Sequence, residues 1–176
     1  LAILGSGFIS RFYADSLVAQ RRKDTIVSVY SRTEVNAKKF ADDYGVPHYS
    51  TSIKECVSHP DVEAVIIGLS NDMHLIAVLE SASAGKHVLC TKPLGRNAAE
   101  ALQMLQAVDK AGVTGGYLED LCYTPKFLKS LTAVKNGSIG EVIWAKSRET
   151  HPGPHSDWFW DKEKSGGGAM IDLGCH

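Results

Sequence analysis

Apolar and polar positions along this chain follow two rhythms. Short runs of β-branched and aliphatic residues, at 1–4, 25–30, 64–69, 87–90 and 113–117, alternate with longer stretches whose apolar residues recur every three or four positions. The short runs read as strands and the spaced stretches as amphipathic helices. Helices are expected over 8–20, 34–44, 53–57, from 71 to 84, over 97–111 and from 125 to about 136. Gly45, Gly85, Gly112 and Gly137 stand where those patterns stop, the usual place for a left-handed terminator. The run 64–69 has hardly a polar position, as in a strand covered on both faces of a parallel sheet. Strands that alternate with helices imply right-handed crossovers and a doubly wound parallel α/β sheet, with room for six strands between Ala2 and Tyr117.

The rhythm changes after Tyr117. A helix opens at Pro125, and residues 141–148 alternate apolar and polar as a half-exposed strand does. A loop rich in His, Pro and Trp covers 151–161, and Gly166-Gly167-Gly168 leads into the last eight residues. The expected division is 1–120 for the doubly wound domain and 121–176 for the start of a second α/β (α+β) domain with an open sheet. One helix, one strand and a loop cannot make a sheet-based domain, because the strand's apolar face needs neighbours. The expectation is therefore a piece of a longer protein, with apolar surface in the second region that this chain does not cover.

Charge and composition narrow the classes of partner. The formal net charge is −1, so no basic field invites nucleic acid or an anionic membrane. No apolar run reaches the ~20 residues of a spanning helix, and no signal peptide is visible. Cys56, Cys90, Cys122 and Cys175 are scattered without a Cys-x-x-Cys, which favours free buried thiols in a reducing cytosol over disulfides or zinc. The cluster Arg21-Arg22-Lys23-Asp24 reads as a solvated helix end, and His48 and His59 as surface residues in turn-like surroundings.

The chemistry begins at Gly5-Ser6-Gly7, between the first strand and the first helix. Gly5 permits a turn that a side chain would obstruct, and Gly7 lets backbone approach a pyrophosphate. The N–H groups and dipole of the following helix would face that anion. Ser10 stands where the full dinucleotide fingerprint has its third Gly or an Ala. After the second strand, Ser31-Arg32-Thr33 offers a hydroxyl and a phosphate-binding fork, and no acid precedes Glu34. That favours NADP(H) over NAD(H), the alternative being that Ser-Arg-Thr only caps the next helix. Ser70 and Asn71 follow another strand and either bind cofactor or cap a helix. Lys92, fixed by Pro93 at a strand's C-terminal edge, is placed over the nicotinamide end of such a cleft. Glu119 and Asp120 face the cleft or are linker acids. Asp172 and His176, four apart, would share one face of a helix as a catalytic or a merely surface pair. A metal site from His151, His155, Asp157 and His176 has poor spacing for tetrahedral geometry, and none is expected.

Gly-Ser-Gly at the start, Gly85-Lys86-His87-Val88-Leu89, Lys92-Pro93-Leu94, Trp158-Phe159-Trp160-Asp161 and the run from Ser165 through Gly166–Gly168, Asp172 and Cys175 to His176 together resemble the glucose–fructose oxidoreductase / inositol dehydrogenase (Gfo/Idh/MocA) family. The resemblance covers essentially the whole chain. It implies a Rossmann domain followed by a C-terminal domain on a large open sheet, and hydride transfer between NADP or NAD and a carbinol or carbonyl carbon of a sugar, cyclitol or related polyol. A nucleotide-sensing regulator without turnover and a dihydrodiol-type dehydrogenase are the alternatives. The resemblance assigns Lys92, Asp172 and His176 to catalysis. Expected cofactor contacts are Gly5, Gly7, Phe8, Ile9, Ser31, Arg32, Leu69, Ser70, Asn71, His74, Lys92 and Pro93. Glu119, His155 and Trp158 are candidate substrate contacts. It further implies a homo-oligomer, a dimer or tetramer, and with the cysteine usage a cytoplasmic protein is expected. Two positions depart from the family: Thr91 replaces the Glu before Lys-Pro, and Cys122 replaces an Arg near the second region. Removing hydride from a carbinol also releases the hydroxyl proton, so a base beside the nicotinamide is wanted. Lys92 could donate to the developing oxyanion while the Asp172 carboxylate fixes the His176 imidazole.

Overall fold

The computed structural model describes residues 1–21 and 23–176. Arg22, and with it the centre of the basic cluster, lies outside the described residues. Six parallel strands form one sheet in the order β3-β2-β1-β4-β5-β6. They are β1 (Ala2–Leu4), β2 (Ser28–Tyr30), β3 (His48–Ser50), β4 (Ala64–Ile67), β5 (His87–Thr91) and β6 (Gly115–Leu118). The order reverses between β1 and β4, which creates the crevice where doubly wound folds bind ligands. The helices between strands are α1 (Phe8–Asp15), α2 (Glu34–Tyr44), α3 (Ile53–Val57), α4 (Asn71–Ser83) and α5 (Ala98–Ala111). Beyond β6 come α6 (Pro125–Lys135), α7 (Lys162–Ser165) and α8 (Ala169–Asp172).

Alternation along each strand divides the core. Ala2 and Leu4 join Val65 and Ile67 on one face, packed by α3, α4 and α5 through Val57, Val78 and Met104. Ile3 and Ile66 point the other way, onto Ala14, Val29, Phe40 and Ala41. Successive side chains of a strand point to opposite faces, so a run with no polar gap supplies both cores. Each fully buried aliphatic side chain contributes about 1.5–3 kcal/mol. The central strands therefore anchor the positions at their C-terminal ends.

Several sequence expectations change in detail. The third strand, β3, lies where turn-like surroundings were expected, and puts His48 on a sheet edge, exposed, with its ring 4.1 Å from that of His59. Three residues between Pro47 and Thr51 give too short an alternation to register as a strand. The first helix passes into a π-helical tail, Ser16–Arg21. Residues 141–150 form no strand: all are exposed, and among the described residues no strand lies beside them to accept their hydrogen bonds. All four cysteines are free, but only Cys56 and Cys90 are buried; Cys122 is exposed. Among the described residues, no helix is long and apolar enough to cross a membrane.

Candidate active site

The Gly-rich loop is shaped by contacts between glycines and Ser10. Gly5 has φ +116°, and a Cβ there would lie 2.4 Å from Gly68 O and 2.7 Å from Ser10 Oγ. Ser10 is fully buried and donates to Gly68 O at 3.2 Å. The serine at the third fingerprint position thus ties α1 to the end of β4, and Gly5 and Gly68 leave it the space. A Cβ on Gly7 would meet nothing within 4 Å, and no side chain caps α1. Phe8 and Ile9 therefore begin a helix whose first N–H groups have no helical carbonyl to bind, directed at the open side of the loop.

The end of β2 combines the two readings of Ser-Arg-Thr. Thr33 caps α2 by accepting from Asn36 N, while Ser31 is buried with its hydroxyl 2.8 Å from that of Ser6. Arg32 is exposed, with no partner among the described residues. At the start of α4, Ser70 makes no side-chain cap bond. The Asn71 amide donates to Ser165 O at 2.8 Å, so this side chain holds the second region. His74, expected at the cofactor, is fully buried with both ring nitrogens on backbone carbonyls, Pro93 O at 2.8 Å and Leu69 O at 3.1 Å. Its ring is spent on the scaffold and presents nothing to a ligand. Pro93 is buried and follows a cis peptide bond; Leu69 is half-buried.

These features fit a dinucleotide: an open Gly-x-Gly turn, uncapped α1 and α4 N-termini on either side of the β1–β4 crevice, and an unpaired guanidinium after β2.

At the edge of the crevice, Lys92 Nζ donates to Asp172 Oδ1 at 2.6 Å and to Asp172 O at 2.8 Å. The two side chains are 28% and 14% exposed. Eighty residues separate them, and the pair joins β5 to α8. Asp172 Oδ2 also lies 3.6 Å from His151 Nε2, beyond hydrogen-bond range. The expected Asp172–His176 couple is not formed. Helix α8 stops at Asp172, and the turn through Leu173 and Gly174 carries His176 off its face. The imidazole pairs instead with Glu119: Nδ1 is 2.6 Å from Oε2, both side chains being nearly shielded. Glu119 is fixed in turn by Leu121 N on Oε1 at 2.8 Å. Glu149 Oε1 lies 4.0 Å from the other nitrogen, Nε2.

Lys92 and His176 are thus held by different carboxylates. Cys175 lies between them: its thiol, pushed up by burial, feels the charges of Lys92, Glu119 and Asp172. The Tyr117 hydroxyl is pushed up to about 12, chiefly by burial and then by Cys175 and Glu119. His155 stacks on Phe8 at 5.4 Å and so reaches the Gly-rich turn. Trp158 stacks on Phe159. Thr91 sends its hydroxyl down to Ile67 O at 2.9 Å, away from the Lys92 amine, and Cys122 Sγ bonds Glu119 O at 3.2 Å.

Arg96, missed by sequence reading, clamps the two regions. It binds Glu100 through its side chain and the Glu163 carbonyl, and Gly166 (φ +88°) lies so close that a Cβ would come within 2.7 Å of Arg96 Cβ. The Gly166–Gly168 motif was a signal that something packs there.

Residues 1–117 match the model of the oxidoreductase family with an NAD-binding Rossmann fold, and residues 127–176 match the GFO/IDH/MocA C-terminal domain. The chain is 32% identical over 153 residues to a 1,5-anhydro-D-fructose reductase of Ensifer adhaerens, covering 86% of this chain and 46% of that protein. It is 34% identical over 184 residues to a trans-1,2-dihydrobenzene-1,2-diol dehydrogenase of Oryctolagus cuniculus, covering 99% and 53%. Among solved structures, GenD2 from gentamicin A biosynthesis in complex with NAD superposes with a TM-score of 0.85 at 28% identity, over 98% of this chain and 49% of that one. The chain spans about half the length of the curated relatives it matches.

Proposed function

This chain belongs to the Gfo/Idh/MocA oxidoreductase family, and on that premise we propose that it holds a nicotinamide cofactor and the reaction centre of an enzyme that interconverts a carbinol and a carbonyl on a sugar, cyclitol or related polyol. Residues 1–120 form the dinucleotide domain, and residues 121–176 belong to a second domain that faces substrate and supports a cytoplasmic homo-oligomer. The observation that carries the reading is the Lys92–Asp172 pair, an amine delivered by a sheet edge to a carboxylate of the second region.

A bound nicotinamide supplies or accepts the hydride. Lys92 donates to the substrate oxygen, where negative charge develops. Asp172 holds that amine through its carboxylate and its carbonyl. His176 donates Nδ1–H to Glu119, which fixes the tautomer and leaves Nε2 to take the hydroxyl proton. His155, beside Phe8, contributes a ring to the substrate side. Arg32 meets the 2′-phosphate of NADP(H). A cyclic diol is a second substrate class, favoured by the match to a dihydrodiol dehydrogenase.

The test follows the absorbance of reduced nicotinamide while the protein, as its own host makes it, is offered sugars, cyclitols and cyclic diols with each cofactor. Turnover with at least one class is expected. Arg32→Ala should lower the NADP/NAD preference about tenfold, the scale of one lost charge-assisted contact. Tight cofactor binding with no turnover would support a regulator, and an unchanged preference would remove Arg32 from phosphate recognition.

A further inference from the structure

His74 takes no part in the chemistry above, yet it sits directly behind the residue that does. The β5 ladder ends where Thr91 pairs with Leu118, and the backbone leaves the sheet at Lys92. Two tethers flank that exit. On one side the Thr91 hydroxyl holds Ile67 O at 2.9 Å. On the other, Pro93 has no N–H to offer, and its carbonyl meets His74 Nδ1 at 2.8 Å in a fully buried contact. His74 Nε2 faces a second carbonyl, Leu69 O, at 3.1 Å. A neutral imidazole has only one N–H, so only one of these contacts is a donated bond. Burial pushes His74 towards the neutral form, and the shorter contact is to Pro93.

We infer that His74 is a positioning residue: its Nδ1–H holds the Pro93 carbonyl so that the Lys92 amine meets Asp172. The inference rests on the reading of Lys92 as the working amine. An asparagine places its amide nitrogen where Nδ1 stands, whereas a glutamine places it where Nε2 stands. Both substitutions lose the ring's packing, so a merely structural role moves the two together.

The experiment labels exposed amines with trinitrobenzenesulfonate and follows the Lys92 peptide by mass spectrometry, in the parent protein and in His74→Asn, His74→Gln and His74→Leu. The Asn variant should label within about twofold of the parent, and the Gln and Leu variants roughly tenfold faster, the scale of one lost buried hydrogen bond. Equal rates for Asn and Gln, at whatever melting temperatures, would overturn the inference. The labelling reports where the amine is held and needs no turnover. If Lys92→Ala retains full turnover, the reading of Lys92 fails while the labelling pattern stands; equal labelling fails the inference while Lys92 keeps its role.

Discussion

Between Leu1 and Leu118 the sheet carries Ile3, Leu4, Val65 and Ile67 at 0% exposure, with helices on both faces. Between Glu119 and His176 the only buried residue among the described ones is Ser165, and Ile143, Trp144, Trp160 and Met170 stand 76–93% exposed. The first region is held by removal of apolar surface from water. The second is seated on it by directional contacts: Asn71 on Ser165, Arg96 on Glu163 and Lys92 on Asp172. Burial is non-directional and makes a firm platform, whereas ionic and hydrogen-bonding contacts fix angles and distances. The division suits the proposed site: a rigid half to carry the cofactor and a second half to align groups against it.

Two substitutions and one titration probe the difference between the regions. Ile67→Ala should cost about 2–5 kcal/mol, because the cavity opens in a close-packed sheet face. Denaturant unfolding checks it; a loss below 1 kcal/mol would deny the platform its apolar origin. Acidification should act next. Burial holds the His74 imidazole below its ordinary value of 6.5, so the folded protein refuses a proton that the unfolded chain accepts. Stability is then full above that value and falls as pH drops below it, since the unfolded state binds more protons there. Melting curves from neutral to mildly acidic pH should show the fall, blunted in His74→Asn. Smallest of all, Ile143→Ser should stay within about 0.5 kcal/mol, as at an exposed position without special contacts. A large loss would show that the second region has a core after all.

Much of the platform was readable because it obeys local rules. The gap-free apolar run at 64–69 announced a doubly covered strand, and Gly45 and Gly112 do end α2 and α5 in left-handed conformation. The centre was readable only in part. Lys92 and Asp172 do meet, but the helical spacing that joined Asp172 to His176 assumed a helix that stops at Asp172. Glu119 becomes the partner of His176 through a fold that brings positions 57 apart together. The contact of His74 with the Pro93 carbonyl has the same origin: it crosses from α4 to the turn after β5, and no periodicity along the chain encodes it.

As proposed, Lys92 and Asp172 act as one unit across the two regions, and a double-mutant cycle on hydride transfer separates joint from independent action. Lys92→Met and Asp172→Asn are each expected to lower kcat/KM by roughly 10²–10³, with cofactor affinity little changed. The double variant should lose no more than the worse single one, as groups that work together do. Losses that multiply in the double variant would mean that the two side chains contribute separately, and the shared reaction centre would not exist.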